Sequence, residues 1–262
     1  MIRRVDLGKV FALNDTLDVE VEYVGLEKAP VVTIKGFYKR PHLVRRFVSE
    51  TPAPNFKHSP GSRNFKDFYW CRQSLNLGGE FNGVVDAVCA IIRRVYDLEV
   101  ESPASFTTNV FQLRKAAPDN VRALPHQDFL LLSADEFARH PPTKVDAFNA
   151  VVYLNTAKEA KGGTALYRDR RSGMESVPLS PEKYREYCEH ILKVGNFEDG
   201  FSFWHQKQSE TWEVHHLCPM VFNNLVIFPS SLFHSPWHMP DWFVGYPRVT
   251  QALFLTGAKR AA

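Results

Sequence analysis

From Ser105 onward the sequence is written in short apolar runs separated by turn residues, and this texture limits the folds open to it. Phe106–Leu113, His126–Leu132, Ala147–Asn155, Gly162–Tyr167, Trp212–Leu217, Met220–Phe222, Leu225–Phe228, Phe233–Trp237 and Val249–Leu255 each read as a strand. Runs this short cannot sustain helices of their own, and the Pro, Gly, Asn and Asp between them call for frequent reversals. Many short strands of this kind build a sandwich or a barrel. The expected class is mostly β with supporting helices.

The first hundred residues supply the supports. Asp18–Val24 alternates acid with apolar residue, the pattern of a half-exposed strand, and Val31–Tyr38 follows as a second strand. Pro41 suits the first turn of a helix reaching about Ser49. The basic residues around it, Lys39, Arg40, Arg45 and Arg46, read as a solvated face. Pro52, Pro54, Pro60 and Gly61 mark a loop over 51–66, with Arg63 a surface residue on it. Asn82–Asp97 carries Val84, Val85, Val88, Ile91, Ile92 and Val95 at helical spacing, and Arg93 and Arg94 near its end favour the macrodipole. It reads as a buttress on the outside of a sheet.

One further helix interrupts the later strands. Ser180 is a good N-cap, Pro181 a good first residue and Gly195 a credible C-cap, with Tyr184, Tyr187, Cys188, Ile191 and Leu192 on one stripe. The stretch 168–211 around it is an insertion, read either as a lid over a pocket or as a structural flap or dimer contact. The lid reading places it over the mouth of the pocket, with Trp237 and His238 lining the same space.

Three residues suggest a metal. Alternate strand residues share a face, so His126 and Asp128 project together while Gln127 turns away. Taken alone, the pair reads more readily as a turn-flanking histidine and a capping or surface acid. Its context adds His234, which follows the apolar run Asn224–Phe228 and a Pro-Ser-Ser corner. Two imidazoles and one carboxylate on one side of an ion leave the other side open, the facial arrangement suited to non-haem Fe(II). Of the remaining histidines, His215 and His216 are adjacent and face opposite ways, His205 lies in the insertion, and His238 is separated from His234 by Pro236. All four read as non-ligands. Fourteen residues past His234, Arg248 opens the apolar run Val249–Leu255. A guanidinium entering such a strand is costly to bury unless it meets an anion, and a dicarboxylate would supply one.

The ordered set of His126-x-Asp128, Gly162-Gly163-Thr164-Ala165-Leu166-Tyr167, Phe228-Pro229 leading to His234, and Arg248-x-Thr250 resembles the Fe(II)/2-oxoglutarate-dependent oxygenase superfamily. It is similar in particular to the prolyl-hydroxylase-like and small bacterial branches, over about residues 106–256. The resemblance implies a double-stranded β-helix, a jelly-roll or cupin-like core. It implies His126, Asp128 and His234 as catalytic iron ligands, and 2-oxoglutarate chelating the iron through its C1 carboxylate and 2-oxo group. It implies Arg248 and Thr250 on the far carboxylate, with Gln112 a weaker polar contact. O2 would complete the cofactor set, and the outcome would be hydroxylation of a C–H bond with release of succinate and CO2. Asp128 stands where the related halogenases have a small residue, and Phe254 where the nucleic-acid dealkylating branch has its second Arg, so neither branch is favoured.

Length and composition set the outer bounds. The 262 residues are read as one oxygenase domain, with 1–104 as N-terminal strands and buttress helix and 105–262 as the β core. A net charge of +3 is too mild to argue for nucleic acid. Cys71, Cys89, Cys188 and Cys218 have no metal spacing and read as free thiols in a reducing compartment, hence a cytoplasmic protein. The start of the chain lacks the apolar stretch of a signal peptide, and no segment approaches a membrane span. The expected partner is a bulky substrate, a peptide segment or an amino-acid-derived metabolite; the oligomeric state is open. Two other classes fit the same sequence: a cupin-like metal enzyme that uses no 2-oxoglutarate, and a non-catalytic sensor or scaffold on the same fold.

Overall fold

A computed structural model describes residues 6–50, 56–57, 70–74, 81–100, 106–114, 125–128, 147–192, 211–237, 242–243, 245–255 and 258–260. In chain order the strands are β1 (Asp18–Val24), β2 (Ala29–Lys35), β3 (Phe56–Lys57), β4 (Trp70–Ser74), β5 (Leu98–Val100), β6 (Phe106–Arg114), β7 (Phe148–Tyr153), β8 (Gly163–Asp169), β9 (Trp212–Pro219), β10 (Leu225–Pro229), β11 (His234–Trp237), β12 (Arg248–Leu255) and β13 (Ala258–Arg260). The helices are α1 (Leu7–Val10), α2 (Pro41–Glu50), α3 (Asn82–Tyr96) and α4 (Pro181–Glu186), the last continuing as a π-helix over Tyr187–Leu192. No helix among the described residues is long and apolar enough to cross a membrane.

Eight strands form one sheet in the order β1-β2-β10-β7-β12-β6-β4-β3, three form a second in the order β11-β8-β9, and β13 pairs with β5. All of these pairings are antiparallel. The mostly β expectation is met.

The large sheet is buried on both faces. Val32, Ile34, Ala150, Val152, Leu225, Ile227 and Leu253 face α2 and α3, which contribute Val44, Val48, Val84, Val85, Val88 and Ile92. Each such Val, Leu or Ile side chain stabilises the fold by about 1.5–3 kcal/mol when fully buried. The opposite face meets the short sheet, where Tyr153, Val226 and Phe228 pack on Leu166 and Cys218. Burial pushes the Cys218 thiol up to about 12. Double coverage explains why β7, β10 and β12 read as near-continuous apolar runs, whereas the edge strand β1 keeps its alternating, exposed acids.

The buttress helix ends one residue earlier than the sequence suggests, at Tyr96, because Asp97 turns left-handed with φ 50°. Met220–Phe222 is not a strand. The chain reverses there between the two sheets, with Asn223 at φ 65° and Asn224 N donating to Val221 O. Arg45 departs from a solvated face: it pairs with Glu159 and donates to the Leu154 carbonyl. Arg63 lies outside the described residues. The Gly162-Gly163 pair has a steric reason. A Cβ on Gly162 (φ +72°) would sit 1.9 Å from the Trp237 carbonyl oxygen, and one on Gly163 (φ +155°) 1.9 Å from that of Cys218. The three strands of the short sheet approach too closely there for any side chain.

Candidate metal centre

Main-chain hydrogen bonds bring the predicted ligands together. His126 N donates to His234 O at 2.9 Å and His234 N to His126 O at 2.7 Å, a single antiparallel bridge. Two residues on, Asp128 N donates to Ser230 O at 3.0 Å. His126 and Asp128 are therefore laid against the corner between β10 and β11. Of the strand expected over His126–Leu132, the described part makes this one bridge, and 129–132 lie outside the described residues.

The donor atoms of His126, Asp128 and His234 all lie within 4.8 Å of one another. Nε2 of His126 is 3.9 Å from Asp128 Oδ1, and Nε2 of His234 is 3.2 Å from Asp128 Oδ2. The other nitrogen of His234, Nδ1, lies 2.9 Å from the Leu232 carbonyl. A carbonyl only accepts, so Nδ1 carries a proton there and Nε2 is the nitrogen turned to the cluster. Burial acts to raise the Asp128 pKa, but His234, His126 and Asn149 outweigh it and hold the carboxyl well below the usual range. An ionised carboxylate and two imidazoles, one with Nε2 turned to the cluster, are a donor set that fits a divalent transition metal.

The cluster lines a cavity of about 220 Å³. Asn149, Val151, Thr164, Phe228, Pro236 and Arg248 also line it. Arg248 is 2% exposed. Its Nη2 donates to Gly163 O at 3.2 Å and its Nη1 to Thr250 Oγ1 at 3.5 Å. Thr250 is wholly buried beside it, and Gln112 stands opposite Thr250 in the β6–β12 register.

Asn149 is the residue that reading the sequence did not single out. It sits on β7 at 2% exposure, donates from Nδ2 to Asp128 Oδ2 at 2.8 Å and lies 3.2 Å from His234 Nε2. Ser230 Oγ donates to its Oδ1 at 3.0 Å. Strand alternation could have placed it on the inner face with Tyr153, but nothing local distinguishes it from a surface Asn.

Two expectations are corrected. The helix of the insertion does not cover the cavity. Tyr184, Tyr187 and Ile191 pack on Ala165, Tyr167, Trp212 and Phe233, behind the short sheet. Ala165 and Phe233 alternate with Leu166 and His234, so the helix sits on the face opposite the ligand. Trp237 packs against this rear cluster too, and Pro236 takes the place in the cavity wall. The cause is the two-residue period: Trp237 is three residues from His234 and falls on the other face. His205, His238 and 193–210 lie outside the described residues. His215 and His216 stand apart from the cluster, and burial lowers the pKa of both.

Residues 15–240 match DUF6445, a family of unknown function. The chain belongs to this family. No curated protein matches its sequence. Among solved structures it is similar to HygX from Streptomyces hygroscopicus with nickel and 2-oxoglutarate bound, at 16% identity and TM-score 0.50, covering 89% of this chain and 83% of HygX. A Pseudomonas putida prolyl-4-hydroxylase is 13% identical at TM-score 0.39, covering 88% of this chain and 95% of its own. An N-substituted L-amino acid dioxygenase from Burkholderia ambifaria is 12% identical at TM-score 0.39, covering 88% and 83%. The resemblance to Fe(II)/2-oxoglutarate oxygenases drawn from the motifs of this DUF6445 chain is thus met at the level of the fold.

Proposed function

We propose that the chain is one oxygenase domain, a non-haem Fe(II)- and 2-oxoglutarate-dependent dioxygenase that hydroxylates a C–H bond of a peptide side chain or an amino-acid-derived metabolite. On this reading the two facing sheets form a double-stranded β-helix. The observation that carries it is the joint placement, in one cavity, of three ligand-type donors within 4.8 Å and a buried arginine.

His126, Asp128 and His234 would hold the iron. When bound, the iron and 2-oxoglutarate would supply the O2-dependent oxidation, releasing succinate and CO2. The Leu232 carbonyl holds the His234 ring with Nε2 turned to the cluster. Arg248 offers a planar fork to the far carboxylate of the co-substrate, and Thr250 can add its hydroxyl. Gln112, opposite Thr250 in the β6–β12 register, would be a weaker contact. Val151, Phe228 and Pro236 keep water from the remaining wall and favour a bulky, largely apolar reaction site.

Calorimetric titration of Fe(II)-loaded protein with 2-oxoglutarate under anaerobic conditions tests the reading, followed by succinate measurement on admitting O2. Metal-dependent binding and slow succinate formation without added substrate are expected. Metal binding with no response to 2-oxoglutarate would replace the reading with a cupin-like metal enzyme. No metal binding would leave a scaffold.

A further inference from the structure

We propose that Asn155 is the positioning residue of Arg248: its amide clamps the main chain on both sides of that residue and so sets where the guanidinium meets the far carboxylate of the co-substrate. The proposal rests on the functional reading above. Arg248 is the first residue of β12, and on the β6 side it already has a register partner, Arg114. On the β7 side the register begins only at Thr250, opposite Tyr153, the last residue of β7. Asn155 lies just beyond that end and fills the gap. Leu154 N donates to Val249 O at 3.0 Å. The Asn155 side chain, wholly buried, then takes both neighbours of Arg248: Val249 N donates to its Oδ1 at 2.7 Å, and its Nδ2 donates to Pro247 O at 3.0 Å. Acceptor and donor ends of the amide are both used.

The residue type matters. An ionised Asp cannot donate to the Pro247 carbonyl, Ser has one hydroxyl for two groups, and Gln carries its amide one methylene further out. The clamp is itself anchored on both sides. Arg45 Nη1, from α2, donates to the Leu154 carbonyl at 3.2 Å, and its Nη2 donates to Glu159 Oε1 at 2.7 Å. Thr156 N donates to Glu159 Oε2 at 3.0 Å. A strand end without ladder partners frays. A planar fork on a long side chain binds a carboxylate bidentately only at a set depth and angle. The Gly163 carbonyl, 3.2 Å from Arg248 Nη2, fixes the tip of that side chain, and Asn155 fixes its root. A misplacement of about 1 Å at such a group costs up to about a hundredfold.

The test asks whether Asn155 acts on one carboxylate of the co-substrate. The probes are 2-oxoglutarate and 2-oxopentanoate, which share the chelating 2-oxo acid and differ in having a far carboxylate or a methyl group. Calorimetry on Ni(II)-loaded protein reads the affinity of each, the monoacid by competition. Asn155→Ala should weaken 2-oxoglutarate about tenfold and leave 2-oxopentanoate within about twofold, so that the preference for the diacid falls. Asn155→Ser, a milder lesion, should lower that preference by about threefold or more, and it decides the matter if the Ala variant does not fold. Tyr38→Phe controls for stability alone. Tyr38 OH donates to Gln251 Oε1 at 2.7 Å on the opposite face of β12, so this variant should lose stability and keep the preference. A preference unchanged in folded Asn155 variants, equal losses for the two acids, or an equal fall in Tyr38→Phe would reduce Asn155 to a structural residue and overturn the proposal. Wild-type protein that binds Ni(II) but does not prefer 2-oxoglutarate to the monoacid is a different failure, that of the functional reading itself.

Discussion

The two faces of the short sheet are made from the same strands and do opposite work. On the inner face, His234 and Thr164 meet polar groups across a cavity. On the outer face, Phe233 and Tyr167 are packed under Trp212, Tyr184 and Tyr187. Phe233 stacks on Tyr187 with ring centroids 5.8 Å apart and lies edge-on to Trp212 at 5.2 Å. Gln127, between the two N-terminal ligands, hydrogen-bonds the Tyr187 hydroxyl. The rear cluster thus touches a sequence neighbour of each proposed ligand. A ligand set open on one side needs its positions fixed from the other, and the inserted helix supplies that rear support.

Changes on the front face should remove function without removing the fold, and changes on the rear should do the reverse. The largest effect belongs to the ligands. His126→Ala or His234→Ala should abolish Fe(II) binding with the circular dichroism of the wild type. Metal analysis that found full iron in either variant would sink the ligand assignment.

Arg248 comes next. Arg248→Ala should weaken 2-oxoglutarate by about 3–5 kcal/mol, because a desolvated carboxylate would be left facing no cation. Arg248→Lys should restore only part of this, a point charge lacking the bidentate fork. Calorimetry returning wild-type affinity for both would end that assignment.

On the rear, Phe233→Ala should lower unfolding free energy by about 3–5 kcal/mol in urea. Its metal affinity, measured well below the unfolding transition, should fall by no more than about tenfold, the low end of outer-shell losses. A variant that kept full stability but lost metal would erase the division between the faces. Deleting 172–205, which a lid could tolerate, should instead unfold the short sheet, since Met174, Val177, Tyr184 and Tyr187 are part of its core.

The smallest effect concerns Glu175, which ties the β1–β2 turn to the short sheet. Its carboxylate accepts from Leu26 N at 3.0 Å and Glu27 N at 3.1 Å and pairs with Arg168. Burial raises its pKa, and these partners lower it further still, for a net depression. A depressed acid stabilises the fold above its unfolded value near 4.5, and that stability is lost as pH falls through the folded value. Glu175→Gln should cost about 1–3 kcal/mol at neutral pH. The gap to wild type should close on acidification, and a gap independent of pH would assign Glu175 a packing role only.

What the sequence determined by itself was whatever a few neighbouring residues decide. The alternation of apolar and polar residues marked most strands, and the stripe on Asn82–Tyr96 marked its helix to within a residue. His126 and Asp128 share a face because strand periodicity is local, and Arg248 stood out because a cation in an apolar run has few reasons to be there. The Gly162-Gly163 pair was legible as a motif, though its cause, two carbonyls at 1.9 Å from any added Cβ, was not. Tertiary structure decided the rest. Which face of the short sheet the inserted helix covers depends on how one sheet packs on another, and helical spacing gives a stripe but no address for it. Asn149 acquired its place only when β7 was laid beside the β10–β11 corner, which brought Ser230, Asp128 and His234 to one amide from 81, 21 and 85 residues away. Hydrogen bonds spanning such separations leave no pattern in a local window, because the chain between the partners is free to be anything that folds.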